Sequence, residues 1–302
     1  MNTQKEKACI VYISSRNRCL AHSLKSIWEM YNYKHDYPVH VHYFDDIYDA
    51  EEIRKQLRST SDQVLNFSSV PYTTPAHVPE EKLFYNRKDL WYVRNSFPIA
   101  RKGYLHMCHF TSNMYGYENT QLENYEYIMT HDDEAGFLKE LPYNPVEVMD
   151  QRPELMGALS LRIPTKIHQG HRDTSVGLWD FIKKYTEEKK IIIVNKNMRA
   201  LLNDPSAPIN CLYMGWPDTY VIKTKMFELD SWKCWIKAVN EFGGNYRYRW
   251  GDCLVFGMYY YIHHGTPYSF SEEGNPVDEG YYNQGKYRSI QDLAPGVKNL
   301  KR

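Results

Sequence analysis

The first forty-five residues carry the pattern that most restricts the fold of this chain. An apolar, β-branched run from Ala8 to Ser14 predicts a strand, and residues 20–28 then place apolar side chains at helical spacing. A second run, Val39 to Phe44, alternates polar and apolar residues with the period of a strand. Strand, helix and strand in this order form a βαβ unit, which predicts an α/β fold with a parallel sheet.

Polar residues follow the first predicted strand. Ligands of parallel α/β sheets bind beyond the carboxyl ends of the strands. Ser14, Ser15 and Arg16 lie at that end, so we expect them to line a ligand site. No Gly-x-Gly-x-x-Gly sequence follows the strand, and the fingerprint of a dinucleotide site is therefore absent.

Three acidic residues follow another predicted strand, Tyr125 to Thr130. Asp132, Asp133 and Glu134 come directly after it and His131. Carboxylates at the end of a buried strand can hold Mg²⁺ or Mn²⁺ against a diphosphate, because these cations prefer oxygen ligands. A solvated acidic turn is the alternative, and the pattern leaves both interpretations open.

Asp252 follows Gly251 and precedes an apolar helical run. An aspartate at this place is typical of a helix cap, which is the interpretation that the local pattern favours. The alternative is a carboxylate that faces a cleft, where it orients a sugar hydroxyl or acts as a base.

Other segments have simpler interpretations. Residues 101–115 have helical spacing, and residues 59–80 have the composition of a surface loop. Ile191 to Val194 have the length of a core strand, and we expect a strand or a buried segment there. No linker or internal repeat divides the sequence. We therefore expect a single domain over residues 1–302, with a nucleotide-binding half in residues 1–137 and an acceptor half in residues 138–302.

Composition excludes several classes of protein. The chain has 302 residues, and its 37 Lys and Arg balance 37 Asp and Glu, so it lacks the basic excess of a protein that binds nucleic acid through phosphates. Aromatic residues make up 15%, which argues against disorder. Six scattered cysteines without a Cys-x-x-Cys pair predict buried thiols. Without a signal peptide or an apolar run of membrane-spanning length, we expect a cytoplasmic protein with no membrane span.

Several blocks of sequence together resemble the fungal α-1,2-mannosyltransferases. The blocks are YLHMCHFTSN (residues 104–113), YEYIMTHDDEAGF (125–137), MGWPDTYVI (214–222), GGNYRYRWGDCLVF (243–256) and DEGYY (278–282). The resemblance implies the GT-A fold, a Rossmann-like mixed sheet flanked by helices in a single large domain. It also implies GDP-mannose as donor, Mn²⁺ as cofactor and retention of the anomeric configuration.

The resemblance assigns roles to individual residues. Asp132 matches the metal-binding Glu of the family, Glu134 matches the Asp two positions on, and Asp252 matches an Asp that faces the sugar. The resemblance places the remaining matching residues at the donor pocket: Ser14, Arg16, Tyr104, Met107 and Cys108.

The chain also departs from the family pattern. Phe256 stands where the family has a metal-binding His, and Tyr220 stands where it has a Glu proposed as nucleophile. Asp218 replaces an Asn near that Glu, and Thr130 and His109 replace two Arg. These changes put the donor sugar, the linkage and the stereochemistry in doubt, so Asp252, Asp218 and Tyr220 are all candidates for catalysis.

The sequence thus predicts a glycosyltransferase that uses a nucleotide sugar, GDP-mannose or a UDP-sugar such as UDP-xylose, and Mn²⁺ or Mg²⁺. The expected acceptor is a hydroxyl group of an oligosaccharide or a glycoprotein glycan. A cytosolic enzyme of this kind would suit an organism or large DNA virus that glycosylates its products outside the secretory route. The alternative is a binding module for glycan or nucleotide that has lost catalysis.

Overall fold

The protein is described by a computed structural model. It describes residues 6–14, 17–44, 51, 55, 65–70, 74–86, 102–116, 120–133, 135–137, 140–158, 165–166, 175–203, 213–214, 219–265, 268 and 281–283.

Ten strands form one large sheet and two small ones in this part of the chain. The strands are β1 (Glu6–Ser14), β2 (Val39–Phe44), β3 (Leu65–Val70), β4 (Tyr125–Asp132), β5 (Ala135–Phe137), β6 (Gly157–Ala158), β7 (Thr165–Lys166), β8 (Tyr213–Met214), β9 (Thr219–Lys223) and β10 (Tyr281–Asn283). The large sheet has the order β3-β2-β1-β4-β9-β6. Its first four strands are parallel and β9 runs antiparallel to β4 and β6, so the sheet is mixed. The pairs β5–β10 and β7–β8 are antiparallel.

Helices accompany these strands along the described chain. The α-helices are α1 (Asn17–Met30), α2 (Lys102–Asn113), α3 (Pro145–Asp150), α4 (Leu178–Glu188), α5 (Lys196–Asn203), α6 (Lys225–Glu228), α7 (Asp230–Phe242), α8 (Gly244–Tyr248) and α9 (Asp252–His263). Short 3₁₀ helices span Asn32–Lys34, Glu80–Lys82, Phe84–Asn86, Met114–Gly116 and Leu122–Asn124.

Hydrophobic cores cover both faces of the large sheet. Successive side chains of a strand point to opposite faces. Accordingly, Cys9 and Val11 of β1 join a core with α2, α4, α7 and α9, while Ile10 and Tyr12 join a core with α1 and α3. A parallel sheet buried on both faces explains why β1 is a nearly continuous apolar run.

The predicted βαβ opening is confirmed. β1 pairs in parallel with β2 from Ile10–Val39 to Ser14–Tyr43, and α1 connects the two strands. The predicted helix in residues 101–115 is confirmed as α2. Among the described residues, no helix combines the length and apolar composition needed to cross a membrane.

Two segment predictions were wrong. The predicted loop in residues 59–80 contains β3, an edge strand whose residues 66–69 are only half-buried, which is why a polar sequence is tolerated there. Ile191 to Val194 form no strand: Ile193 is buried, but Ile192 is 82% exposed and Val194 is 51% exposed. Their backbone is held by helices rather than by a neighbouring strand, because the Val194 N–H donates to the Ile262 carbonyl at the end of α9.

Candidate active site

The carboxyl ends of β1 and β4 meet at one edge of the large sheet. Their parallel register pairs Ile13 with Asp132, which brings the next residues, Ser14 and Asp133, side by side. The Ser14 hydroxyl donates a hydrogen bond to Asp133 Oδ2 at 2.6 Å. Asp133 is half-buried and Asp132 is exposed at the rim of the sheet. Two segments that the sequence predicted to bind the donor therefore lie in contact.

Four other predicted site residues lie outside the described residues: Ser15, Arg16, Glu134 and Asp218.

Tyr220 and Asp252 form a second polar contact beside this rim. Tyr220 lies on β9 opposite Thr130 of β4, and its hydroxyl donates to Asp252 Oδ2 at 3.3 Å. Burial raises the pKa of Tyr220 well above its ordinary value, and the charges of Asp252 and Asp132 raise it further. Tyr220 thus links β9 to the first residue of α9, and it lies opposite β4, the strand that ends in Asp132. We therefore treat Asp132, Tyr220 and Asp252 as candidates for one site.

Asp252 is the first residue of α9, after the extended Gly251. Burial raises its pKa, and hydrogen bonds from the backbone N–H groups of Cys253 and Asp252 and from the Tyr220 hydroxyl oppose that rise. An anion is also favoured by the dipole at a helix N-terminus. The carboxylate therefore lies at the N-terminus of α9, where Gly251 rather than Asp252 is the N-cap residue, and it accepts a hydrogen bond from Tyr220.

Helix α2 borders Asp252 through Tyr104 and Cys108. The Arg249 guanidinium lies 4.2 Å above the centre of the Tyr104 ring. Burial raises the pKa of the Cys108 thiol to about 12. Met107, which is expected at the donor pocket, is half-buried and packs against the hydrophobic core.

Arg249 is a site residue that the sequence reasoning missed. It is only 7% exposed and adopts a left-handed backbone conformation, with φ at +58°. Non-glycine residues in this conformation cluster at functional sites, since the surrounding structure must stabilise them. Its position three residues before Asp252, inside a block that carries the resemblance, was the available signal.

Two glycines and a tryptophan shape the turn that leads to Asp252. Gly243 ends α7 with φ at +73°, a conformation that suits glycine. A Cβ atom on Gly244 would lie 2.0 Å from Cε3 of the Trp250 ring. Trp250 is fully buried, and its Nε1 donates to the Val176 carbonyl at 3.1 Å. This close packing fixes the backbone immediately before the first residue of α9.

Only part of the implied metal site is present among the described residues. Phe256 is 1% exposed and stacks on Trp232 with ring centres 5.0 Å apart, so the family's His position supplies no ligand. No group of three or more His, Cys, Asp or Glu in the described chain could hold a metal ion. Asp132 and Asp133 nevertheless offer carboxylate oxygens at the rim. This donor set fits Mg²⁺ or Mn²⁺, which are often held by one or two carboxylates together with substrate phosphates.

Comparison with known sequences shows the family to which the chain belongs. The profile of the glycolipid 2-alpha-mannosyltransferase family matches residues 1–265. The probable mannosyltransferase YUR1 of Saccharomyces cerevisiae is 25% identical over 171 residues, which cover 52% of this chain and 38% of the relative. The O-glycoside alpha-1,2-mannosyltransferase homolog 5 of Schizosaccharomyces pombe is 23% identical over 261 residues, covering 78% of this chain and 60% of the relative. The matched regions thus span less than two thirds of the length of either relative.

Solved structures show the same fold. The mannosyltransferase Ktr4p of S. cerevisiae, in complex with GDP, has a TM-score of 0.69 and 17% identity, covering 93% of this chain and 71% of that one. Core-mannan synthase A of Aspergillus fumigatus, in its Mn/GDP form, has a TM-score of 0.68 and 17% identity, covering 87% of this chain and 71% of that one. The predicted GT-A fold is confirmed.

Proposed function

Because the chain belongs to the glycolipid 2-alpha-mannosyltransferase family, we propose that it is a glycosyltransferase that moves a sugar from a nucleotide sugar to a glycan hydroxyl. GDP-mannose is the first candidate donor, because the mannosyltransferases of the same fold were solved with GDP. A UDP-sugar such as UDP-xylose is the rival. The acceptor is an oligosaccharide or a glycan of a glycoprotein or glycolipid.

The observation that carries this proposal is the Tyr220–Asp252 hydrogen bond beside the rim formed by Ser14, Asp132 and Asp133. A glycosyltransferase must hold a diphosphate at one side of the transferred sugar and a polar group near the reacting hydroxyl. The rim and the pair supply these two functions at the same edge of the sheet.

The donor diphosphate would lie at the rim. Asp132, with Glu134 as its companion by resemblance, would hold Mn²⁺ or Mg²⁺, which as a Lewis acid neutralises the departing nucleoside diphosphate. The Ser14 hydroxyl donates a hydrogen bond to the Asp133 carboxylate and so orients it at this rim.

Tyr220 acts as a hydrogen-bond donor rather than as a nucleophile. Its raised pKa keeps the phenol protonated at neutral pH, whereas a nucleophilic oxygen would need a lowered one. Its O–H holds the Asp252 carboxylate in position. Asp252 is then ready to accept a hydrogen bond from a sugar hydroxyl.

Two stereochemical courses give Asp252 different roles. In a front-side retaining transfer, the departing phosphate takes the proton of the acceptor, and Asp252 only orients a sugar. In an inverting transfer a carboxylate must remove that proton from the opposite face, and Asp252 or Asp218 is the candidate base.

A binding module without catalysis is the second candidate. The observation that favours it is the packing of Phe256, since its stack on Trp232 fills the position of the family's metal-binding His with a core side chain. Such a module would retain donor binding and lack turnover.

The test is a panel of nucleotide sugars with the protein, with Mn²⁺ or with a chelator, and with donor hydrolysis and thermal shift as readouts. We expect turnover with at least one donor, and a chelator should abolish it. Binding without turnover would favour the module. The absence of both turnover and a thermal shift with every donor would exclude the enzyme and a module that binds the donor. Turnover that persists in chelator would remove the metal role of Asp132.

A matched pair of variants separates chemistry from helix stability. Asp252→Asn should lower kcat by about 10²- to 10⁴-fold, the usual size of a general acid–base contribution or of a comparable polar contact. Asp230→Asn is the control, because Asp230 is also the first residue of an α-helix but is exposed. If Asp252→Asn lowered only the thermal stability, the cap interpretation would be correct. Equal losses of activity in both variants would contradict the role of Asp252.

A further inference from the structure

The segment that joins α4 to α5 presents apolar side chains to solvent. We call residues 191–194 the tip. Ile192 is 82% exposed and Val194 is 51% exposed. Tyr33 is the one other large hydrophobic residue that is exposed in the described part of the chain, and it lies in a different part of the sequence.

The tip is held rigidly against the protein. The Ile191 N–H donates to the Thr186 carbonyl at 2.8 Å, and the Val194 N–H donates to the Ile262 carbonyl at 3.0 Å. Between them the Ile193 side chain is buried in the core. With the backbone fixed and Ile193 turned inward, Ile192 and Val194 on either side of it are held outward.

The start of α5 secures the other side of the tip. The Asn195 N–H donates to the Tyr261 carbonyl at 3.1 Å, and the Asn195 side chain accepts from the Met198 N–H at 3.0 Å. Asn195 is therefore an N-cap for α5 and a link to α9 at the same time. The hydrogen bonds on both sides of the tip therefore hold Ile192 and Val194 in their exposed positions.

Basic residues surround the tip. The exposed cations next to it are Lys189, Lys190, Lys196 and Arg199, and the nearby acids are Glu187 and Glu188. Glu188 is paired within α4, because its Oε1 lies 3.7 Å from the Nζ atom of Lys184. Positive charge therefore exceeds negative charge around the two aliphatic side chains, although the whole chain is neutral.

We propose that the tip docks the protein on the surface of an anionic lipid bilayer. Ile192 and Val194 enter the boundary between headgroups and acyl chains, and the lysines contact the anionic headgroups. Interfacial binding of this kind combines buried apolar area with attraction of Lys and Arg to acidic lipids. Lipid fits better than a protein partner, because two protruding side chains offer far less area than a stable protein interface buries.

The proposal stands apart from the proposed chemistry, since neither the tip nor its cations belong to the candidate active site. Sedimentation with vesicles tests it, using phosphatidylcholine alone and phosphatidylcholine mixed with phosphatidylserine. The parent protein should sediment with the mixed vesicles, less with phosphatidylcholine alone, and less at high salt. Failure to sediment with the mixed vesicles, or salt-insensitive binding equal on both vesicles, overturns the proposal.

Two sets of variants locate the binding surface. The double variant Ile192→Ser and Val194→Ser should lower the partition coefficient about tenfold or more, because burying one such side chain in hydrocarbon is worth at least a tenfold step. The triple variant Lys189→Gln, Lys190→Gln and Lys196→Gln should lower it by about a hundredfold, since each lysine near an anionic surface contributes about fivefold.

Controls change exposed residues in other elements. Tyr33→Ser removes the other exposed large hydrophobic residue of the described chain, and Lys225→Gln with Lys233→Gln removes exposed charge from α6 and α7. Both controls should bind vesicles like the parent. All variants change exposed side chains, so thermal unfolding and donor hydrolysis should stay unchanged. Equal losses in the controls, or self-association that the Ile192→Ser change abolishes, would refute lipid docking by the tip.

Discussion

Acid should destabilise the protein through His42, a histidine of β2 that is 1% exposed. Within the described part of the chain, neither of its ring nitrogens has a hydrogen-bond partner. Its ring packs 5.4 Å from that of Phe110 and 6.4 Å from that of His40. Burial, with a smaller effect of His40, lowers the pKa of His42 from 6.5 to about 3. We therefore expect His42→Leu to stabilise the protein and to reduce its sensitivity to acid.

The size of the effect follows from this pKa. The folded chain resists protonation of His42 and the unfolded chain does not, so stability falls as the pH drops below 6.5 and the loss is complete below about 3. At about pH 4.5, two pH units below the ordinary value, the loss is about 2.7 kcal/mol, since each unit is worth about 1.36 kcal/mol. At neutral pH the variant should also gain about 1–3 kcal/mol, because it removes buried nitrogen atoms that lack hydrogen bonds.

Urea unfolding followed by tryptophan fluorescence, at about pH 7.5 and at about pH 4.5, measures both effects. His40→Leu is the matched control, because His40 lies on the same face of β2 but its Nε2 hydrogen-bonds the Tyr125 hydroxyl at 2.9 Å. At neutral pH this control should lose about 1–3 kcal/mol. The prediction would be wrong if His42→Leu lowered the free energy of unfolding at neutral pH, or if that free energy fell with acid as steeply as in the parent.

Two other variants test the packing around the site. Gly244→Ala would place a Cβ atom too close to the Trp250 ring, so it should lower both the melting temperature and the turnover. A variant as stable as the parent would show that the turn can relax. Tyr260→Phe should cost about 1–3 kcal/mol in urea unfolding, because its hydroxyl accepts from the N–H groups of Met156 and Gly157 at 2.8 and 2.6 Å; a cost near zero would mean that water replaces it.

The elements that the sequence predicted are those with a strong local signal. β1 and β2 are buried on both faces or alternate clearly, so their composition reveals them. β3 escaped prediction because an edge strand needs little apolar surface. The prediction for Ile191 to Val194 failed for the opposite reason. Their composition is that of a core strand, but their conformation depends on hydrogen bonds to the end of α9, far along the chain.

The same distinction applies to the candidate site. Contact between Ser14 and Asp133 could be predicted, since the carboxyl ends of parallel strands lie at one edge of a sheet. The pairing of Tyr220 with Asp252 depends on the antiparallel register of β9 with β4, which no local pattern encodes, and only the resemblance brought the two together. Arg249 escaped notice because its importance lies in a backbone angle and in its stacking on Tyr104.

Helix α9 has a consequence for the choice of acceptor. It starts at Asp252 and ends at His263, beside the tip, so its axis is about 17 Å long at 1.5 Å per residue. If the tip docks on lipid and Asp252 contacts the sugar, as we propose, this helix fixes the distance between the membrane surface and the reacting groups. With the tip in a bilayer, Asp252 stands no more than about that height above the headgroups. Acceptors tethered to lipid by spacers of graded length should then show an optimum, whereas free acceptors in solution should show none.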